Sequence, residues 1–138
     1  MVLKNFKGKF IDKNYSRYLI DWDGSSRSKF QFEVKQFFKP YWIGCQVYEE
    51  FPVLGTRYKI DIYNSNYKLA IEVDGEQHYK FNKHFHGNRA NFLASIYRDE
   101  KKFIFCEINE IRVVQILPED LKLLTPKYVE EKFDITLT

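Results

Sequence analysis

The chain lacks most of the features that place a protein outside the cell or in a membrane. Its 138 residues include two cysteines, Cys45 and Cys106. They are far apart and match no zinc spacing, so neither a disulfide framework nor a zinc finger is expected, and both read as buried free thiols. No apolar run approaches the roughly 20 residues that cross a bilayer, so no membrane partner is expected. The N-terminal Met-Val-Leu-Lys-Asn-Phe-Lys has no apolar signal core, and the expectation is a cytoplasmic protein. Internal repeats and low-complexity tracts are also missing. Neither sign of charge dominates: 22 Lys and Arg against 19 Asp and Glu leave a net charge of +3, which permits an anionic partner without demanding one.

What is present is apolar and aromatic. The hydrophobic fraction is 44% and the aromatic fraction 18%, which excludes a disordered chain and predicts one domain's worth of packed core. With 13 Phe, 10 Tyr and 2 Trp, most rings must be core, though Trp42, Tyr79, Phe81 and Phe85 are candidates to stack on bases. The cations cluster in residues 1–30, against three aspartates, and in 80–102, and the acids concentrate elsewhere. Residues 1–27 read as a basic N-terminal arm or extension, and residues 28–138 as a single domain.

Periodicity orders the rest. Ser26 or Ser28 caps a helix to about Phe38, with Pro40 ending it soon after. Gln46–Phe51 reads as a strand. Thr56–Tyr63 alternates, with Arg57, Lys59, Asp61 and Tyr63 on one face and Tyr58, Ile60 and Ile62 on the other. Tyr67–Asp74 alternates likewise, with Lys68, Ala70, Glu72 and Asp74 together. Asn64-Ser-Asn66 supplies the turn. A polar, His-rich connection over 76–87 leads to a helix from about Asn88 to Phe103, with Phe92, Leu93, Ile96 and Tyr97 on its apolar side. Ile111–Ile116 is a buried-type strand, and Pro118 and Pro126 open two short helices. The order predicts an α/β fold with helices packed on one central sheet.

Three carboxylates and a histidine crowd the hairpin and its exit: Asp61, Glu72, Asp74 and His78. If the turn centres on Ser65-Asn66, Asp61 lies opposite Ala70 and diagonal to Glu72, with Lys59 across from Glu72. The small Ala70 then leaves room for an ion. A one-residue slip would move Asp61 off the Glu72 face. Converging acids repel unless a cation or proton sits among them. Hard oxygen donors suit Mg²⁺ or Mn²⁺, which polarise phosphoryl groups and activate water. His78 is placed to move a proton near neutral pH. The alternating histidines His84 and His86 have no nearby Cys or His partner that would suggest zinc.

Asp61, eleven residues, then Glu72-Val-Asp74-Gly75-x-x-His78 resembles the PD-(D/E)XK nuclease superfamily. The similar branch holds very-short-patch repair endonucleases and the EDxHD-type phage homing endonucleases. Arg98-Asp99 with Lys102, and Arg112-Val113-Val114, extend the match, which covers roughly residues 26–117. The resemblance implies a restriction-endonuclease-like core, a central mixed four-stranded sheet flanked by helices. It implies metal held by Asp61, Asp74 and the Val73 carbonyl, with catalytic support from Glu72, Asp99, Glu33 and His78. The lysine of the superfamily's E-x-K is replaced by Asp74, so His78 inherits its work, with Lys59 or Lys80 as electrostatic help. Lys59, Lys80, Lys83, Arg89 and Lys102 are the expected DNA contacts.

The expected activity is Mg²⁺- or Mn²⁺-dependent DNA endonuclease, nicking or cutting both strands, with a homodimer left open, in a bacterial or phage-infected cell. A junction-resolvase-like or RNA-directed nuclease, and a nuclease-like module that binds nucleic acid or a protein without cutting, are the competing expectations.

Overall fold

The computed structural model describes residues 1–73 and 89–138, and within them the chain forms a four-stranded mixed sheet covered on both faces. The element order is β1 (Val2–Lys4), β2 (Phe10–Asp12), a 3₁₀ turn (Ser16–Tyr18), α1 (Lys29–Trp42), β3 (Val47–Pro52), β4 (Lys59–Asn64), β5 (Leu69–Val73), α2 (Arg89–Ile108), β6 (Arg112–Ile116), α3 (Pro118–Leu121) and α4 (Pro126–Phe133). The main sheet runs β3-β4-β5-β6; the first two pairings are antiparallel and β5–β6 is parallel, bridged by α2. A parallel pair needs such a crossover. No helix among the described residues is long and apolar enough to cross a membrane.

One face of the sheet packs on α1 and the C-terminal helices, through Val34, Phe38, Trp42, Ile62, Ile71, Val114 and Val129. The other packs on the β1–β2 hairpin and the end of α2, through Leu3, Tyr15, Phe51, Ile60, Tyr63, Phe105 and Cys106. Residues 1–27 are tied to the body: Ile20 N–H donates to Val47 O at 3.0 Å, and Asn109 Oδ1 accepts from Lys4 N–H at 2.7 Å. Ser28 caps α1 by accepting from Gln31 N–H at 3.1 Å. Pro40 lies inside the last turn of α1 rather than beyond it. The Phe38–Trp42 stack, with centroids 4.2 Å apart, holds that turn against the sheet despite the lost donor. Trp42 is therefore core, and unavailable to a base.

Three sequence expectations are corrected. The turn after β4 spans four residues, 65–68, with Lys68 left-handed (φ 51°). The register therefore pairs Tyr63 with Ala70, two residues from the expected pairing, so Ala70 lies opposite Tyr63 rather than Asp61. A two-residue shift keeps each side chain on its face. Second, β4 does not alternate throughout: Ile62 joins one core and Ile60 the other. Third, α2 continues to Ile108 because Phe105 and Cys106 bury its last turns. The expected apolar stripe is instead open, with Leu93, Ile96 and Tyr97 between 42% and 54% exposed.

Behind the sheet, Asp120 ties α3 to α4. Its carboxylate accepts from Leu117 N–H at 2.9 Å, from Tyr128 Oη at 2.5 Å, and from Lys132 Nζ. Burial pushes this carboxyl up, but the Lys132, Tyr128 and Leu117 hydrogen bonds outweigh it and hold it below the usual carboxylate range. Its contribution is thus present above the unfolded pKa and lost as pH falls through the folded one. Asp120→Ala is expected to cost about 2 kcal/mol at pH 7. In urea unfolding, the gap from wild type should shrink at pH 3; a gap independent of pH would show that the ion pair contributes nothing.

Candidate active site

The site begins at a matched break in β3 and β4. Glu50 is left-handed (φ 52°), a conformation that strains a non-glycine residue. The ladder pairs Glu49 with Ile62 and Phe51 with Ile60, and passes over Glu50 and Asp61 between them. On either side of the break the two strands exchange faces together. Beside the break, where the β4–β5 ladder ends at Ile62 and Ile71, side chains join the two strands. Asp61 N–H donates to Glu72 Oε2 at 3.0 Å, and Val73 N–H donates to Asp61 Oδ2 at 2.8 Å. Two carboxylates from adjacent strands are thereby fixed face to face.

Cations surround them. Arg27 Nη2 lies 3.2 Å from Asp61 Oδ1, Arg27 Nε 3.9 Å from Glu50 Oε1, and Lys102 Nζ 2.8 Å from Glu72 Oε1. Burial first, and then the charge of Glu72, push the Asp61 carboxyl up to about 8, against the pull of Val73 N–H, Lys102 and Arg27. The pair opens into a cleft of about 480 Å³ whose walls also carry Arg57, Lys59, Arg98 and Asp99. A second, more apolar cavity of about 550 Å³ adjoins it, between α2 and the sheet. Cys106 lines that cavity, and burial pushes its thiol up to about 12, which leaves it a poor nucleophile.

Of the residues expected from sequence, Asp61, Glu72, Val73, Asp99, Lys59 and Lys102 share the cleft. Asp99 pairs with Arg98 at 3.5 Å. Lys102 Nζ donates to Glu72 Oε1 at 2.8 Å. Glu33 and Arg89 are not among the cleft's lining residues, and Arg112 donates to Phe133 O and Asp134 O at the end of α4. Two α1 side chains reach the site's flank: Gln31 donates to Glu49 Oε2 at 2.9 Å and Glu50 Oε2 at 3.4 Å, and Lys35 Nζ donates to Glu49 Oε1 at 3.1 Å. Asp74, His78, Lys80 and Lys83 lie outside the described residues, as do Tyr79, Phe81, His84, Phe85 and His86.

Arg27, Glu50 and Arg57 were not foreseen as members of the site, and Arg98 was matched beside Asp99 without being assigned a role there. Adjacent Glu49-Glu50 in a strand is the one sequence sign that pointed there. Among the described residues no three His, Cys, Asp or Glu side chains gather into a complete metal-binding group. The donors that are present nevertheless suit a divalent ion. Asp61 and Glu72 are hard oxygen ligands, and a buried carboxylate held beside another is relieved by added positive charge.

Comparison with known proteins brings two viral relatives. The chain is 39% identical over 74 residues to uncharacterized protein 307L of Invertebrate iridescent virus 6, covering 54% of this chain and 36% of that protein. It is 36% identical over 72 residues to uncharacterized protein 033L of Invertebrate iridescent virus 3, covering 52% and 37%. The aligned segments thus span little more than a third of these curated relatives. No family model matches the chain, and no solved structure matches it.

Proposed function

We propose that the chain is a metal-dependent endonuclease with a restriction-endonuclease-like core, acting on DNA. The observation that carries this reading is the pairing of Asp61 with Glu72 in a cleft walled by Arg27, Arg57, Lys59, Arg98 and Lys102. Acids at the floor and cations at the rim suit a phosphodiester approached by a divalent ion. Asp61 is the principal ligand, joined in the sequence-based assignment by Asp74 and the Val73 carbonyl. Bound Mg²⁺ or Mn²⁺ supplies charge neutralisation at the phosphate and acidifies a bound water. Glu72, held by Lys102, fixes the backbone of Asp61 and so aims its carboxylate. Arg57, Lys59 and Arg98 bind the phosphates on either side. His78 is assigned the proton transfer. The viral relatives favour a virus-infected cell as the setting.

The test is cleavage of supercoiled, linear and branched DNA with Mg²⁺ or Mn²⁺. Wild type should cut, and Glu72→Gln should fall by about 10²- to 10³-fold, because a neutral amide holds Lys102 and the metal site poorly. A preference for branched DNA would assign a junction-resolving role. Undiminished cleavage by Glu72→Gln would sink the assignment of this cleft. Binding of DNA without cleavage or metal uptake would make the chain a nuclease-like binding module, the reading that the absent E-x-K lysine favours.

A further inference from the structure

Arg27 contrasts with every group it touches. Its backbone sits in a loop that is firmly tied: the wholly buried Lys35 donates to Asp21 O at 3.0 Å and Gly24 O at 2.9 Å, and Ser26 Oγ donates to Glu49 Oε2 at 2.6 Å. Its neighbour Ser28 caps α1. Yet its side chain is 62% exposed, whereas the Asp61 side chain it reaches is 6% exposed. Asp61 is enclosed and held by Val73 N–H; the guanidinium stands at the cleft mouth on one 3.2 Å bond and one 3.9 Å ion pair. If one member of the pair moves, it is the arginine.

A guanidinium on Asp61 Oδ1 occupies the quarter from which an approaching cation would bind that oxygen. Two positive charges cannot share one carboxylate oxygen without strong repulsion. An incoming phosphodiester, by contrast, attracts a guanidinium and matches its forked donors. Glu50, kept at the break by its strained backbone, offers Arg27 a second anchor, so the side chain can turn from Asp61 without leaving the cleft.

We propose that Arg27 is a placeholder: it occupies Asp61 Oδ1 before metal loads, yields that oxygen to the divalent ion, and then clamps the phosphodiester at the cleft mouth. This rests on the reading of Asp61 as a metal ligand. It adds a competition between a residue of the chain and the ion.

Mn²⁺ titration without DNA, read by electron paramagnetic resonance, tests the first half. Duplex DNA binding in Ca²⁺ tests the second. Arg27→Ala should bind Mn²⁺ about 3- to 10-fold tighter than wild type, and DNA about 10-fold weaker, the scale of one charge-assisted contact. Arg27→Lys keeps the charge without the fork; its Mn²⁺ affinity should stay near wild type while DNA binding still falls. Arg27→Gln repeats both measurements if the alanine variant does not fold. Wild type that binds Mn²⁺ and cuts DNA, with Mn²⁺ affinity unchanged or weakened in Arg27→Ala, overturns the placeholder and leaves the nuclease reading standing. Failure of wild type to bind Mn²⁺ or cut DNA overturns both.

Discussion

Asp61→Asn is expected to abolish cleavage and, at the same time, to make the metal-free protein more stable at pH 8. The first effect follows from removing the charge that a divalent ion would bind, a loss of about 10³-fold or more. The second follows from the position of the carboxylate. Burial and Glu72 raise its pKa from 3.8 to about 8 in the folded chain. Such an acid must stay protonated in the folded state, or be ionised at a cost, while the unfolded chain ionises it freely. Stability is therefore full below the unfolded pKa and declines as pH rises from about 4 to about 8. Asparagine cannot ionise, so Asp61→Asn should gain on the order of 2–4 kcal/mol over wild type at pH 8 and little at pH 4. Its carbonyl can still accept from Val73 N–H, and Arg27 is exposed enough to turn to Glu50. Added Mg²⁺ should raise the thermal midpoint of wild type at pH 8 and leave Asp61→Asn unmoved. Equal midpoints for the two proteins at pH 8 without metal would show that Asp61 is not a frustrated carboxylate.

Much of this arrangement could be read from the chain, because hydrophobic period and turn chemistry are local. The helix capped by Ser28, the succession of strands and helices along the chain, and the shared face of Asp61 and Glu72 are all local signals. What escaped depends on distance or on unusual backbone. Nothing in Glu50 announces a left-handed residue, since that conformation is normally signalled by Gly or Asn. Without it, strict alternation was the natural reading of β4, and the exchange of faces at Asp61 was invisible. Arg27 reads as one of many basic residues near the N-terminus until the loop before α1 folds over the sheet. The α2 stripe of Leu93, Ile96 and Tyr97 has the right helical spacing for burial, yet burial came from Phe105 and Cys106 near its C-terminal end. Period identifies a face, but it does not say which part of a long helix reaches the sheet.

Lys35→Ala is expected to be among the most destabilising single changes, and to damage the site from a distance. Lys35 is wholly buried, and its ammonium spends its three donors on Asp21 O, Gly24 O and Glu49 Oε1, the last at 3.1 Å. Truncation removes all three bonds, takes the ammonium from Gly24 O, leaves Asp21 O with the Gly24 N–H bond at 3.1 Å, and leaves Glu49 with the neutral donors of Ser26 and Gln31. Breaking one side of a buried ion pair typically costs about 3–5 kcal/mol. Lys35→Met fills the same volume, and Lys35→Met with Glu49→Gln removes the orphaned charge as well; the double variant should recover part of the loss. The same bonds hold the loop that presents Arg27, so folded Lys35→Met should also lose DNA affinity, in the manner of Arg27→Ala. Denaturant unfolding and DNA titration on the same preparations separate the two effects. A loss below about 1 kcal/mol would mean that water replaces the ammonium, and the loop would then be held by Ser26 and the α1 cap instead.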